Sequence, residues 1–242
     1  EGRALEELTT LPQIVSGCDL ESTERAKSLF SILTTDLVEL SPTEAELAKL
    51  FTNAWRYLNF AISNQFYMIS SSFGLDFYDI YRAMTKNYPR LQGFAKPGFS
   101  AGPCLFKDTM QLSAASNNNF FMGHAAMLVN EGMPNFLIDR LKARVPLKNK
   151  TVGILGMAFK ADSDDFRESL AFKLKKLLEL EAAHVLCTDP YVYQPGFVPV
   201  DTLIKESDII ILAAPHSEYR NLSVRGKRVV DIWNFFGEGV RV

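Results

Sequence analysis

The apolar pattern of this chain changes period at Pro146, and no single-layer fold accommodates both halves. Before that point the apolar residues recur three and four apart, the spacing of helices with one buried face. Ser41-Pro42-Thr43-Glu44 reads as a helix start, with Ser41 as N-cap, Pro42 at the first helical position and Glu44 closing a capping box. The helix that follows reaches to about residue 72, with Gly74 beyond it as a stop. Leu47, Leu50, Phe51, Ala54, Tyr57, Leu58, Ala61 and Ile62 line it. A helix of that length exceeds the usual globular one and points to a subunit or domain interface. Further helices are expected over 76–87, 104–116 and 120–144. After Pro146, short apolar runs at 151–155, 183–188, 209–213 and 228–232 alternate with helical stretches at 168–180 and 201–206. That alternation predicts a parallel α/β sheet, whose ligands bind at the carboxyl ends of the strands. The 156–160 loop lies at such an end.

Bulk properties narrow the function classes. The chain has 242 residues, 47% of them apolar and 22% charged, with a formal net charge of −2. Those proportions suit a globular protein rather than a disordered or fibrous one. The charge argues against nucleic-acid binding driven by bulk electrostatics, but leaves room for a local basic pocket facing a phosphate. The longest apolar runs, 152–159 and 209–214, are too short to span a bilayer, and no cationic-then-apolar leader opens the chain. Cys18, Cys104 and Cys187 are odd in number and far apart, which disfavours a disulfide framework and favours a reducing cytoplasm.

Cys104 has the most reactive surroundings of the three. It follows Gly102-Pro103 at the expected start of a helix, with Lys107 and Asp108 in the next turn. Helix N-terminal N–H groups and a nearby cation favour thiolate over thiol. Gly102, two residues earlier, lets a ligand approach the backbone closely. Asp108 lies four residues on, on the same helix face, whereas helical spacing turns Lys107 elsewhere. Lys49 and Asn53 are one turn apart on the long helix, a cation and an amide suited to holding an oxyanion or a water. Lys160 follows a strand's carboxyl end, where it suits a pyrophosphate or a sugar hydroxyl. The run Gly153-Ile154-Leu155-Gly156-Met157-Ala158 lacks GxGxxG spacing, and the acidic loop after it fits a dinucleotide fingerprint poorly. No metal ligand set is assigned.

Three motifs in order carry a resemblance. They are Ala48-Lys49-Leu50-Phe51-Thr52-Asn53-Ala54, then Gly102-Pro103-Cys104-Leu105-Phe106-Lys107-Asp108, then Leu155-Gly156-Met157-Ala158-Phe159-Lys160 with Arg167-Glu168-Ser169. Together they resemble the central and C-terminal parts of the UDP-glucose/GDP-mannose dehydrogenase family, along nearly all of the chain. The resemblance implies an all-α central dimerisation domain followed by an α/β Rossmann-like parallel-sheet domain. Its boundaries are 1–40 for the edge of a preceding domain, 41–145 for the helical dimerisation domain and 146–242 for the UDP-sugar-binding domain. The opening Glu1-Gly2-Arg3-Ala4-Leu5 resembles the segment after an NAD-binding domain, so a further domain of roughly 100–150 residues is expected, without which this piece is inactive.

By the same resemblance the activity is oxidation of a nucleotide sugar's C6 alcohol to the acid, with two hydrides passing to NAD⁺. Cys104 captures the intermediate aldehyde. Lys49 and Asn53 stabilise the oxyanion or place the water, and Asp108 helps as a general base through water. Arg90, Phe94, Lys96, Phe99, Gly102, Phe159 and Lys160 are assigned to the substrate, and Glu1, Lys107 and Arg167 to the cofactor side. An ion pair of Arg167 with Asp164 or Asp165 is the other reading of that arginine. The spacing from Arg90 to Cys104 departs slightly from the animal UDP-glucose enzymes. Pro103 stands where many relatives carry serine or histidine, which points to a subfamily with another sugar. The expected partners are a nucleotide sugar and a second copy of the chain through the long helix, with neither nucleic acid nor membrane. Two readings stay open beside this one: a β-hydroxyacid dehydrogenase relative, and a nucleotide-sugar-binding or assembly module without catalysis.

Overall fold

The computed structural model describes residues 4–99 and 102–237, which form two compact units dividing between Trp55 and Arg56. The first contains helix α1 (Ala4–Thr10), strand β1 (Gln13–Val15), helix α2 (Leu20–Phe30), strand β2 (Leu37–Glu39) and the start of helix α3 (Pro42–Ser72). β1 and β2 pair in parallel, Ile14 opposite Val38, with α2 as the crossover. Asp19 and Ser22 cap α2 reciprocally: the Ser22 N–H donates to the Asp19 carboxylate at 2.7 Å and the Asp19 N–H to the Ser22 hydroxyl at 3.1 Å. This β-α-β element lies in a stretch where the sequence pattern reads as helix. Strands of three residues are too short to set up a period.

α3 starts as its sequence dictates. The Glu44 carboxylate accepts the Ser41 N–H at 2.9 Å and the Ser41 hydroxyl at 2.6 Å, and the helix runs 31 residues to Ser72 before Gly74 turns away at φ +72°.

The second unit adds α4 (Phe77–Thr85), α5 (Pro103–Ala115) and α6 (Phe121–Lys142), and then the sheet. Strands β3 (Thr151–Leu155), β4 (His184–Thr188), β5 (Ile209–Leu212) and β6 (Arg228–Val230) are all parallel in the order β4-β3-β5-β6, linked by α7 (Leu170–Glu181) and α8 (Val200–Glu206). Alternation along the central strands sorts two faces. Val152, Ile154, Ile209 and Ile211 pack with Leu174 and Leu178 of α7 and with Met133, Leu137 and Leu141 of α6. Leu155, Ile210 and Leu212 pack with Leu203 of α8 and Tyr219. The helical part and the sheet therefore share one core across α6, where each fully buried Leu or Ile is worth roughly 1.5–3 kcal/mol. The architecture is a helical domain followed by a parallel-sheet α/β domain, as expected. A smaller cluster of Tyr57, Ala61, Leu105 and Ala126 seats α5 against α3 and α6. Among the described residues, no helix is long and apolar enough to cross a membrane.

Candidate active site

Cys104 sits in the first turn of α5 and is exposed. Gly102 caps that helix at φ +123°, a conformation side chains disfavour, and a Cβ there would lie 2.7 Å from the Phe159 ring. The ring carried by the loop after β3 thus rests against the turn that presents the sulfur. One helical turn beneath Cys104, Asp108 is 1% exposed. Its carboxylate lies 3.5 Å from the Lys107 ammonium, so Lys107 folds back toward Asp108 instead of pointing elsewhere. Cys187 is a different kind of thiol. It is packed in the core, where burial pushes its pKa up to about 11. Cys18, like Cys104, is free and exposed.

The segment leading to Cys104 is held by amides. Asn59 of α3 donates to the Gly93 carbonyl at 2.7 Å and accepts the Ala95 N–H at 3.1 Å. Asn64, a turn and a half further along, accepts the Gly98 N–H at 2.8 Å and donates to Asn130 of α6 at 2.9 Å; Asn130 in turn donates to the Tyr57 carbonyl at 3.1 Å. Phe94 stacks on Tyr81 with centroids 5.7 Å apart, and the Tyr81 hydroxyl donates to the Phe94 carbonyl. Phe99, assigned to the substrate by resemblance, is 3% exposed and belongs to the core cluster. Arg90, in a 3-10 turn (Pro89–Leu91), and Lys96 are exposed.

A second held loop runs from β3 to α7. Gly156 takes φ +86° and packs so closely on Ala214 of the β5 loop that a Cβ would fall 2.5 Å from the Ala214 carbonyl oxygen. The next two N–H groups, of Met157 and Ala158, both donate to the Asp189 carboxylate. Burial raises the Asp189 pKa, but hydrogen bonds from His216 and from the Tyr191 and Met157 N–H groups outweigh it and hold the carboxyl below its ordinary value. Lys160 lies with its ammonium 5.8 Å from the centre of the Phe159 ring. Arg167 is exposed and makes a two-pronged ion pair with Asp165, the alternative its sequence position allowed. Lys49 is exposed and Asn53 half-buried, one turn apart on α3 in the first unit, whereas Cys104 and its neighbours belong to the second. Glu1 lies outside the described residues. Asn64, Asn130, Asp189 and His216 escaped the sequence reading. Each acts on a segment more than 25 residues away, which no local pattern marks, although Asp189 also accepts the Tyr191 and Val192 N–H groups of its own turn.

The sequence profile of the UDP-glucose/GDP-mannose dehydrogenase family, central domain, matches residues 43–131, and the profile of the same family's UDP binding domain matches residues 153–238. The chain belongs to this family. Among relatives within the family, the UDP-N-acetyl-D-mannosamine dehydrogenase of Methanocaldococcus jannaschii is 31% identical over 225 residues, 91% of this chain and 52% of that protein. The UDP-D-ManNAc dehydrogenase structure from Pyrococcus horikoshii superposes with a TM-score of 0.82 at 27% identity, over 92% of this chain and 54% of that one. A UDP-glucose dehydrogenase from Pyrobaculum islandicum superposes with a TM-score of 0.84 at 25% identity, over 96% of this chain and 57% of that one. The chain thus spans about half the length of these relatives.

Proposed function

We propose that this chain carries the nucleophile and the nucleotide-sugar wall of an enzyme that oxidises the C6 alcohol of a UDP-hexose to the uronic acid, with residues 41–145 as its dimerisation domain and 146–242 as its sugar-nucleotide domain. The observation that carries this reading is the exposed Cys104 in the first turn of α5, above a buried Asp108 and beside the Phe159 loop. An N-acetylated hexosamine is the favoured sugar, since several similar proteins are UDP-N-acetyl-D-mannosamine dehydrogenases. A cytoplasmic setting suits the three free thiols.

NAD⁺ is the hydride acceptor that the resemblance implies, and when bound it supplies two two-electron oxidations. The turn after β3 does not fit it, because the Met157 and Ala158 N–H groups are taken by Asp189 and Gly156 is closed against Ala214. This turn therefore offers no free N–H pair to its phosphates, and Lys107 and Arg167 are the proposed cations of the cofactor side. The chain's own part is covalent. Once the alcohol has become an aldehyde, the Cys104 sulfur adds to C6 as a thiolate, and its electron pair forms the C–S bond of a thiohemiacetal. Lys49 and Asn53 are the cation and amide proposed to stabilise the negative charge that develops on the oxygen as that bond forms, or to place the water. After the second oxidation the carbon is a thioester. Water drawn on by Asp108 adds to it, and Cys104 leaves as thiolate with the acid released.

Cys104→Ser in the whole enzyme is expected to abolish acid formation while leaving UDP-sugar binding within about threefold; undiminished acid output would refute the covalent role. Dimerisation is supported by α3 and the residue after it, where Ile62, Phe66, Ile69 and Phe73 stay 39–75% exposed at spacings of four, three and four. Such a stripe is what a second helix covers.

A further inference from the structure

The turn at the carboxyl end of β3 is where a doubly wound sheet offers backbone N–H groups to a phosphate. Here a carboxylate of the protein fills that position. Asp189 Oδ2 accepts Met157 N–H at 2.6 Å and Ala158 N–H at 2.9 Å, while Oδ1 accepts Tyr191 N–H at 2.8 Å and Val192 N–H at 2.9 Å. His216, from the loop after β5, is 0% exposed. Its Nε2 meets Asp189 Oδ2 at 3.0 Å, and its Nδ1 accepts the Asp162 N–H at 3.0 Å. Those two bonds place the imidazole proton on Nε2 and leave Nδ1 bare. The Asp162 carboxylate then accepts the Ser217 N–H at 2.7 Å and its hydroxyl at 3.0 Å. Tyr191 and Tyr219 close over the imidazole, with ring centres 5.2 and 5.4 Å away.

The 157–162 segment is therefore tied at its first residues to Asp189 and at its last to His216. Phe159 and Lys160 stand between the ties. The Phe159 N–H is bonded to the Asp165 carbonyl at 3.0 Å, so the excursion is closed on itself as well. The Phe159 ring packs so close to Gly102 that an added Cβ there would lie 2.7 Å from it. The two ties bracket the two residues that the proposed function assigns to the sugar nucleotide.

We propose that His216 and Asp189 are the positioning residues of this site: they fill the phosphate position of the β3 turn with a carboxylate and hold Phe159 and Lys160 in register beside the Cys104 helix. A nucleotide's phosphates are thereby turned away from the sheet crevice. The proposal rests on the nucleotide-sugar reading for its ligand, but not for the tie itself.

The test uses the chain as it is, with UDP as the probe, and three variants. His216→Leu loses both bonds. His216→Gln keeps a donor and an acceptor. Asp162→Ala removes only a half-exposed carboxylate, so it carries the test if His216→Leu fails to fold. Amide exchange at Phe159 and Asp162 reads the tie. In His216→Leu it is expected to rise at least about 100-fold, with the Val152 to Leu155 amides unchanged, and in Asp162→Ala by about tenfold. UDP affinity, by calorimetry, is expected to fall about tenfold in His216→Leu and to return within about threefold in His216→Gln. Unchanged exchange in both disrupting variants overturns the proposal, and so does loosened exchange with unaltered UDP affinity. Loosened exchange in a chain whose parent form takes no UDP supports the tie and counts instead against the nucleotide reading.

Discussion

Two segments of the second unit converge on Gly102 and Cys104, and they are held by opposite chemistries. The strap before Cys104 is fastened by neutral amides: Asn59 to Gly93 and Ala95, and Asn64 to Gly98, with Asn130 behind it. The loop after β3 is fastened by a buried carboxylate and an imidazole. An amide both donates and accepts, so two of them complete each other without charge. A carboxylate only accepts, so Asp189 needs a ring of donors and collects five, four of them backbone N–H groups. The amide network links helices that their own packing already places. The charged one gathers the loop ends after β3, β4 and β5 onto a single carboxylate.

The largest difference should therefore appear when each hub is replaced by an apolar isostere. Asp189→Leu strands five donors, four of them buried, and at about 1–3 kcal/mol for each unmet buried group the loss rivals the whole stability of a domain. Urea unfolding followed by circular dichroism is expected to show a lost or severely weakened transition. A variant within about 1 kcal/mol of the parent would mean that the loop ends hold without the carboxylate.

The amide side is expected to respond less, and to respond as a pair. Asn64→Leu or Asn130→Leu leaves its partner with unmet groups, at about 1–3 kcal/mol each. The double replacement removes both sides of the Asn64–Asn130 bond, so it should cost clearly less than the sum of the singles. Additive costs in the denaturation cycle would show that the two amides stabilise their helices separately and that the shared network is not what steadies the strap.

How much of this was visible in the sequence follows the same division. The capping box at Ser41 and Glu44, the stop near Gly74 and the strands of the sheet are local patterns, and each appears within a residue or two of its expected place. Gly102-Pro103-Cys104 could be read as a helix start because a turn and a cap need only neighbours. The β1–α2–β2 unit was not legible, since strands of three residues define no period. Phe99 shows the limit within the site: its neighbours in sequence place it beside the nucleophile, while its neighbours in space make it core. Asp189 precedes Pro190 and reads as an ordinary strand-ending turn; only the return of β3 and β5 to the same sheet edge shows what it accepts.

The smallest effect concerns charge alone and falls on Asp162. The Ser217 N–H bond holds its carboxyl below the ordinary aspartate value, with the Ser217 hydroxyl and the nearby Arg220 acting in the same direction and partial burial opposing them. A carboxyl with a folded-state pKa below its unfolded value of about 3.9 binds fewer protons when folded, so its contribution is whole above that unfolded value. It is lost as pH falls through the lower, folded value. Because the side chain is half exposed, solvent screening keeps the contribution under about 1 kcal/mol. Asp162→Asn should therefore be slightly less stable than the parent at pH 7, and the gap should close as pH falls below about 3.9. The gap between the parent and Asn64→Leu should stay level over the same range, since no carboxyl takes part in that network. If the Asp162 gap is also level with pH, the outer tie works through the shape of the side chain, and charge then distinguishes the two fastenings only at Asp189.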